Sequence, residues 1–98
     1  MRIARREIQI ELERLESIIM HCKNDEQIFK NSKDIESHLH KIKGLAPMMG
    51  EEIIGEIAKI SDTIMKHIIE HGSSGGSYKF IVESIESMIK LFKGQKNI

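Results

Sequence analysis

Ile8, Leu12, Leu15, Ile19 and Cys22 recur at alternating intervals of four and three, with charged residues filling the positions between them. That period lines one face of an α-helix and predicts a first helix over about 3–23, with Glu11, Glu13 and Glu16 on its solvated side. The segment NDEQIFKN (24–31) breaks the period and reads as a connection, its Ile28 and Phe29 folding back as a lid on one end of the core. The period resumes with Ile35, Leu39, Ile42, Ala46 and Met49, predicting a second helix over 32–49 with Ser32 as N-cap and Asp34 and Glu36 in its first turn. Pro47 has no amide proton for the carbonyl of Lys43 and disfavours helical geometry at Ala46. The helix therefore kinks there, or it ends in a last turn that Gly50 closes.

Glu51 to His71 reads as a third helix, with Ile53, Ile57, Ile60, Ile64 and Ile68 as its seam and Ile54, Met65 and Ile69 widening the stripe. Gly55 and Ala58 are small enough to let a neighbouring helix approach closely. The GSSGG run at 72–76 is a flexible turn. Ser77 caps a fourth helix over 77–93, with Phe80 or Ile81, Ile85, Met88 or Ile89, and Phe92 facing inward, and Gly94 ends it before a loose tail. Four amphipathic helices with short connections predict an all-α fold, an antiparallel up-down four-helix bundle forming one domain over 1–98.

Composition narrows the function classes. A chain of 98 residues holds one modest core. With aromatics scarce, Ile, Leu and Met must fill it. Fifteen basic residues balance fifteen acidic ones, so bulk charge points to neither nucleic acid nor a membrane surface. No run of about 18 apolar residues is long enough to span a bilayer, and the N-terminus lacks a signal-peptide core. The single cysteine, Cys22, excludes an internal disulfide and fits a reducing cytoplasm. A cytoplasmic, monomeric protein is the expectation.

The candidate chemistry lies in the second helix. His40 is followed by Lys43 and Gly44 at three and four residues on, offsets that share one helix face. Glu36 and Pro47 complete that stripe, so no large apolar side chain stands on it and the face looks outward. Neutral imidazole is nucleophilic near physiological pH. A nearby ammonium can offset the charge of an arriving phosphoryl oxygen, and the missing side chain of Gly44 would let another protein close over the ring.

His40, Ile42, Lys43, Gly44 and Gly50, with Met49 before the last glycine, resemble the H-x-[IL]-K-G-x5-G motif of histidine phosphotransfer (HPt) domains, most nearly the phosphotransfer domains of CheA-type chemotaxis kinases. Lys59 and Asp62 on the following helix stand near where that family has polar and acidic partners of its histidine, and the likeness spans roughly residues 5–93. It implies a phosphoryl carrier with His40 as acceptor, reacting through Nε2. Asp62 would accept the other ring N–H and fix the tautomer, with Lys43 and secondarily Lys59 or Lys41 on the phosphate oxygens. It also implies a carrier with no catalysis or cofactor of its own. ATP and magnesium would come with a histidine kinase catalytic domain, and a response-regulator receiver domain would be the other partner. The chain could equally be the acceptor domain of a larger kinase.

Other histidines weigh less. His67 and His71 have chelating i, i+4 spacing, but HIIEH is not HExxH and no third ligand is evident, so a helix-end pair is expected and no metal. His38 is expected at the surface or packed at a bundle edge, and His21 is a cation near the end of the first helix. The rival class is a helical interaction or dimerisation module that uses the same fold without phosphorylation.

Overall fold

The computed structural model describes residues 2–72 and 75–94, with side chains described from residue 5. They form five helices, α1 (Arg2–Met20), α2 (Asp25–Lys30), α3 (Ser32–Met48), α4 (Glu52–His71) and α5 (Ser77–Gly94), and no strand. The expected loose tail and the middle of the glycine-serine turn lie outside the described residues.

The long helices form where the period of apolar residues demands them. Ile8, Leu12, Leu15 and Ile19 of α1, Ile35, Leu39, Ile42 and Ala46 of α3, and Ile81, Ile85, Met88 and Phe92 of α5 all point into one core. Each fully buried Ile, Leu, Met or Phe among them contributes on the order of 1.5–3 kcal/mol. Helix α1 packs on α3 and α5, and α4 packs on α3 and α5, which closes a ring of four long helices around that core. Arg5 ties one end of the ring together. Its guanidinium donates to Glu51 Oε1 and to the carbonyl of Phe92, both at 3.2 Å, and lies 4.2 Å from the centre of the Phe92 ring.

Several features differ from expectation. The segment 24–31 is not a plain connection but holds α2, because Asn24 accepts from the backbone N–H of Gln27 as a side-chain N-cap. Helix α1 accordingly stops at Met20, and His21 and Cys22 close it with tighter bonds to the carbonyls of Ile18 and Ile19. Ile28 is fully buried, as a lid residue should be, whereas Phe29 stays exposed. Ser32 does not cap α3. It is the first helical residue, buried behind Asn31. Nor does Ser77 cap α5, which instead borrows Asp25 from the start of α2. That carboxylate accepts from the backbone N–H of Tyr78 (2.7 Å) and of Gly76 (3.2 Å), and these bonds, Tyr78 first, hold it below the usual aspartate range.

The seam of α4 is displaced around its axis. Ile54, Gly55, Ala58, Ser61, Asp62, Met65 and Ile68 face inward, while Ile53 and Ile60 are 63% and 53% exposed. The reason lies in its contact with α3. A Cβ added at Gly55 would sit 3.2 Å from two carbons of the Pro47 ring and 3.6 Å from Ala46 Cβ. So close an approach leaves no room for a side chain at position 55, and with Gly55 turned to α3 the helix presents Ile54, Ala58, Met65 and Ile68 to the core while Ile53 and Ile60 turn away.

Of the two outcomes expected at Pro47 the second is found: α3 runs one residue past it, to Met48, and ends there. The end is then built on glycine. The amide of Glu51 bonds the carbonyl of Ala46, that of Gly50 bonds the carbonyl of Pro47, and Gly50 takes φ +75. This pair of bonds is the Schellman arrangement, in which a left-handed residue reverses the chain.

Candidate functional site

The stripe Glu36, His40, Lys43, Gly44, Pro47 lies along the flank of α3 beside α4. The His40 side chain is 60% exposed, and Gly44 is open, with nothing within 4 Å of where its Cβ would stand. Behind the ring lies Asp62 of α4, its side chain only 1% exposed. Burial of that carboxylate is made tolerable by cations. Lys43 Nζ donates to Asp62 Oδ2 at 2.9 Å, and Lys66 Nζ lies 3.4 Å from the same oxygen, while Oδ1 is buried with no hydrogen-bond partner.

His40 presents its Nδ1 edge to this cluster, 3.7 Å from Asp62 Oδ2 and 3.8 Å from Glu36 Oε2. Both separations exceed hydrogen-bond length. The bond expected between Asp62 and the ring is therefore not made, because the short aspartate side chain gives its oxygen to Lys43. Nδ1 and Nε2 lie on different edges of the ring, and no hydrogen bond involves Nε2 among the described residues, which leaves it available to an incoming group.

Glu36 is the member that sequence reasoning left without a role. One turn before His40, it is half-buried and close to Asp62. Hydrogen bonding to Asp62, then burial, then the charge of Asp62 push its carboxyl above the usual glutamate range, against the pull of His40 and Lys66. For Asp62, burial alone would raise the pKa. Hydrogen bonds from Glu36 and Lys43 and the charges of Lys43 and Lys66 outweigh it and leave the group below the usual aspartate range. The two shifts run in opposite directions, so as pH falls Glu36 takes up its proton before Asp62 does. The ammonium of Lys43 is held above its ordinary value, mainly by its bond to Asp62. The spacing of Glu36 to His40, i to i+4, was the signal present in the sequence.

The two secondary candidates fall on either side. Lys59 is exposed and lines an open depression with Lys43, Pro47, Glu52, Gly55 and Glu56. Lys41 lies on the α1 side of His40, its Nζ 3.7 Å from Glu11 Oε2. Glu11 was expected in solvent but is only 8% exposed, since His38 Nδ1 makes a short contact with its Oε1. Thus His38 does pack at the α1–α3 edge, and Lys41 is partly committed there. Leu45, Met48, Gly44 and His40 share an open depression with Glu7 and Glu11.

Glu36, His40 and Asp62 offer three ligand atoms within 4.8 Å of one another. Asp62 Oδ2 already bears two ammonium groups, which a metal ion would have to displace. His67 and His71 are exposed with ring centres 4.6 Å apart, and no third ligand joins them among the described residues. No described helix is long and apolar enough to cross a membrane. No family model, curated protein or solved structure is significantly similar to this chain.

Proposed function

We propose that this chain is a histidine phosphotransfer domain that carries a phosphoryl group on His40 between a histidine kinase catalytic domain and a response-regulator receiver domain in the cytoplasm. The observation that supports this best is an exposed imidazole whose Nδ1 edge backs onto a buried carboxylate with two lysines. The resemblance of the His40–Gly50 segment to the HPt motif adds to it, and so does the ring of four long helices, which fits an antiparallel up-down bundle.

In this reading the lone pair of Nε2 attacks phosphorus as the bond from phosphorus to the donor oxygen breaks, and the donor keeps that electron pair. The proton on Nδ1 stays on the ring, which becomes positive as the N–P bond forms. Carboxylates beside Nδ1 stabilise that charge. Lys43 would swing from Asp62 toward the phosphoryl oxygens, with Lys59 and Lys41 as secondary cations. Asp62 would act by holding Lys43 and Lys66 at the ring. Gly44, Leu45 and Met48 give partners an uncluttered approach. Magnesium and ATP would belong to the partners, so the chain is a carrier and not an enzyme by itself.

The test is acid-labile phosphate on the protein after incubation with a histidine kinase or a phosphorylated receiver. Wild type should take label and His40→Gln should not. Equal labelling of both would remove His40 as the site. One observation favours a second reading, an interaction module. Ile53 and Ile60 stand exposed on α4, and a module of that kind would take no label and would associate with increasing concentration in sedimentation experiments.

A further inference from the structure

Resting on the carrier reading of His40, we propose that Glu36, and not Asp62, is the positioning residue that accepts the Nδ1–H of His40 and sets its tautomer. Asp62 Oδ2 and Glu36 Oε2 are almost equally far from Nδ1, at 3.7 and 3.8 Å. What separates them is which can close the remaining distance of about 1 Å to a hydrogen bond.

Asp62 is held. Its Oδ2 accepts from Lys43 at 2.9 Å, with Lys66 at 3.4 Å, and its side chain is almost wholly buried. Moving that oxygen to the ring would draw it off Lys43 inside the protein, where losing a charged hydrogen bond is costly. The helices cannot close the distance either, because Pro47 already lies against Gly55.

Glu36 is free to move. It lies one helical turn before His40 on the same face, where i, i+4 side chains meet. With three side-chain torsions and part of its surface in solvent, it reaches the ring by rotation alone, leaving the backbone and the Lys43–Asp62 bond in place.

Glu36 then has two partners. When protonated it donates to Asp62, and when ionised it accepts from Nδ1. The groups facing it are His40 and Lys43 from its own helix and Asp62 and Lys66 from α4. Its proton is retained to higher pH than in an ordinary glutamate, chiefly through Asp62, so the ring-accepting form gains population as pH rises through that raised value.

The experiment is two-bond ¹H–¹⁵N NMR of the His40 ring in the full chain across pH, for wild type, Glu36→Gln, Glu36→Asp and Asp62→Asn. Phosphorylation rates with phosphoramidate, a small donor that needs no docking, accompany it. Wild type and Asp62→Asn should show the Nδ1–H tautomer. Glu36→Gln and the shorter Glu36→Asp should shift toward Nε2–H, label more slowly by roughly tenfold, and lose the pH step that belongs to Glu36. Because Glu36 is partly exposed, its variants keep the test valid should Asp62→Asn fail to fold. An unchanged tautomer in Glu36→Gln would overturn the assignment, most directly if Asp62→Asn lost Nδ1–H instead. Phosphoramidate label that survives His40→Gln would instead remove the carrier reading, and the tautomer result would still stand.

Discussion

Replacing Gly44 by alanine should make the protein more stable and a poorer carrier. Gly44 lies inside α3, and a Cβ there would meet nothing within 4 Å, so the substitution adds no clash. It removes the entropy cost of glycine in a helix interior, about 0.8–1 kcal/mol relative to alanine. Unfolding entropy of about 2.1 cal/mol/K per residue amounts to about 0.2 kcal/mol/K for a chain of this length. The melting temperature should therefore rise by roughly 4–5 °C. The same methyl would stand one turn beyond His40 on the face where a partner's active site must close. Overpacking by a methyl costs about 1–3 kcal/mol in a close-packed contact, so transfer from a kinase or receiver should slow by about tenfold or more. Thermal unfolding followed by circular dichroism and stopped-time phosphotransfer read the two effects separately. A fall in stability would refute the open helical setting of Gly44. A rise in stability with unchanged transfer would refute the claim that partners need the bare backbone, and would leave the glycine without a functional reason.

Gly55→Ala should behave differently: its Cβ meets the Pro47 ring at 3.2 Å, so the helix gain of about 1 kcal/mol is offset by strain and the melting temperature should stay the same or fall. Lys43→Met removes the 2.9 Å donor to a buried carboxylate and should cost about 1–3 kcal/mol in urea unfolding while also slowing phosphoryl uptake. The acid limb should depend on Asp62. Its lowered pKa contributes stability that is complete above the ordinary aspartate value and is lost as pH falls through the folded-state value, so Asp62→Asn should flatten that limb. Glu36 has the opposite sign. Its raised pKa contributes stability below the ordinary glutamate value that is lost as pH rises to the folded-state value, so Glu36→Gln should gain on wild type across that window. Asp25→Ala should speed hydrogen exchange at the amides of Gly76 and Tyr78, the start of α5, before it affects the rest of the molecule.

The sequence alone determined the helices whose apolar residues form a single narrow stripe. In α1, α3 and α5 one face is apolar and the opposite one charged, so only one rotation of each helix about its axis buries the right residues, and the period names them. The same period put His40, Lys43 and Gly44 on one outward face, since helical spacing is a local property. Helix α4 is the contrary case. Its isoleucines and methionine cover about half its circumference, more than one face is apolar enough to bury, and hydrophobicity cannot choose among them. The choice fell to shape, because the approach of Pro47 requires a residue without a side chain at position 55, and turning Gly55 toward α3 turns Ile53 and Ile60 outward. That rotation also carries Asp62 under the ring. Only the tertiary structure could then decide which cation takes its oxygen, that Glu11 is buried against His38, and that Asp25 caps a helix 51 residues away from it in sequence. Each of these depends on distances between chain segments, which no spacing along the chain encodes.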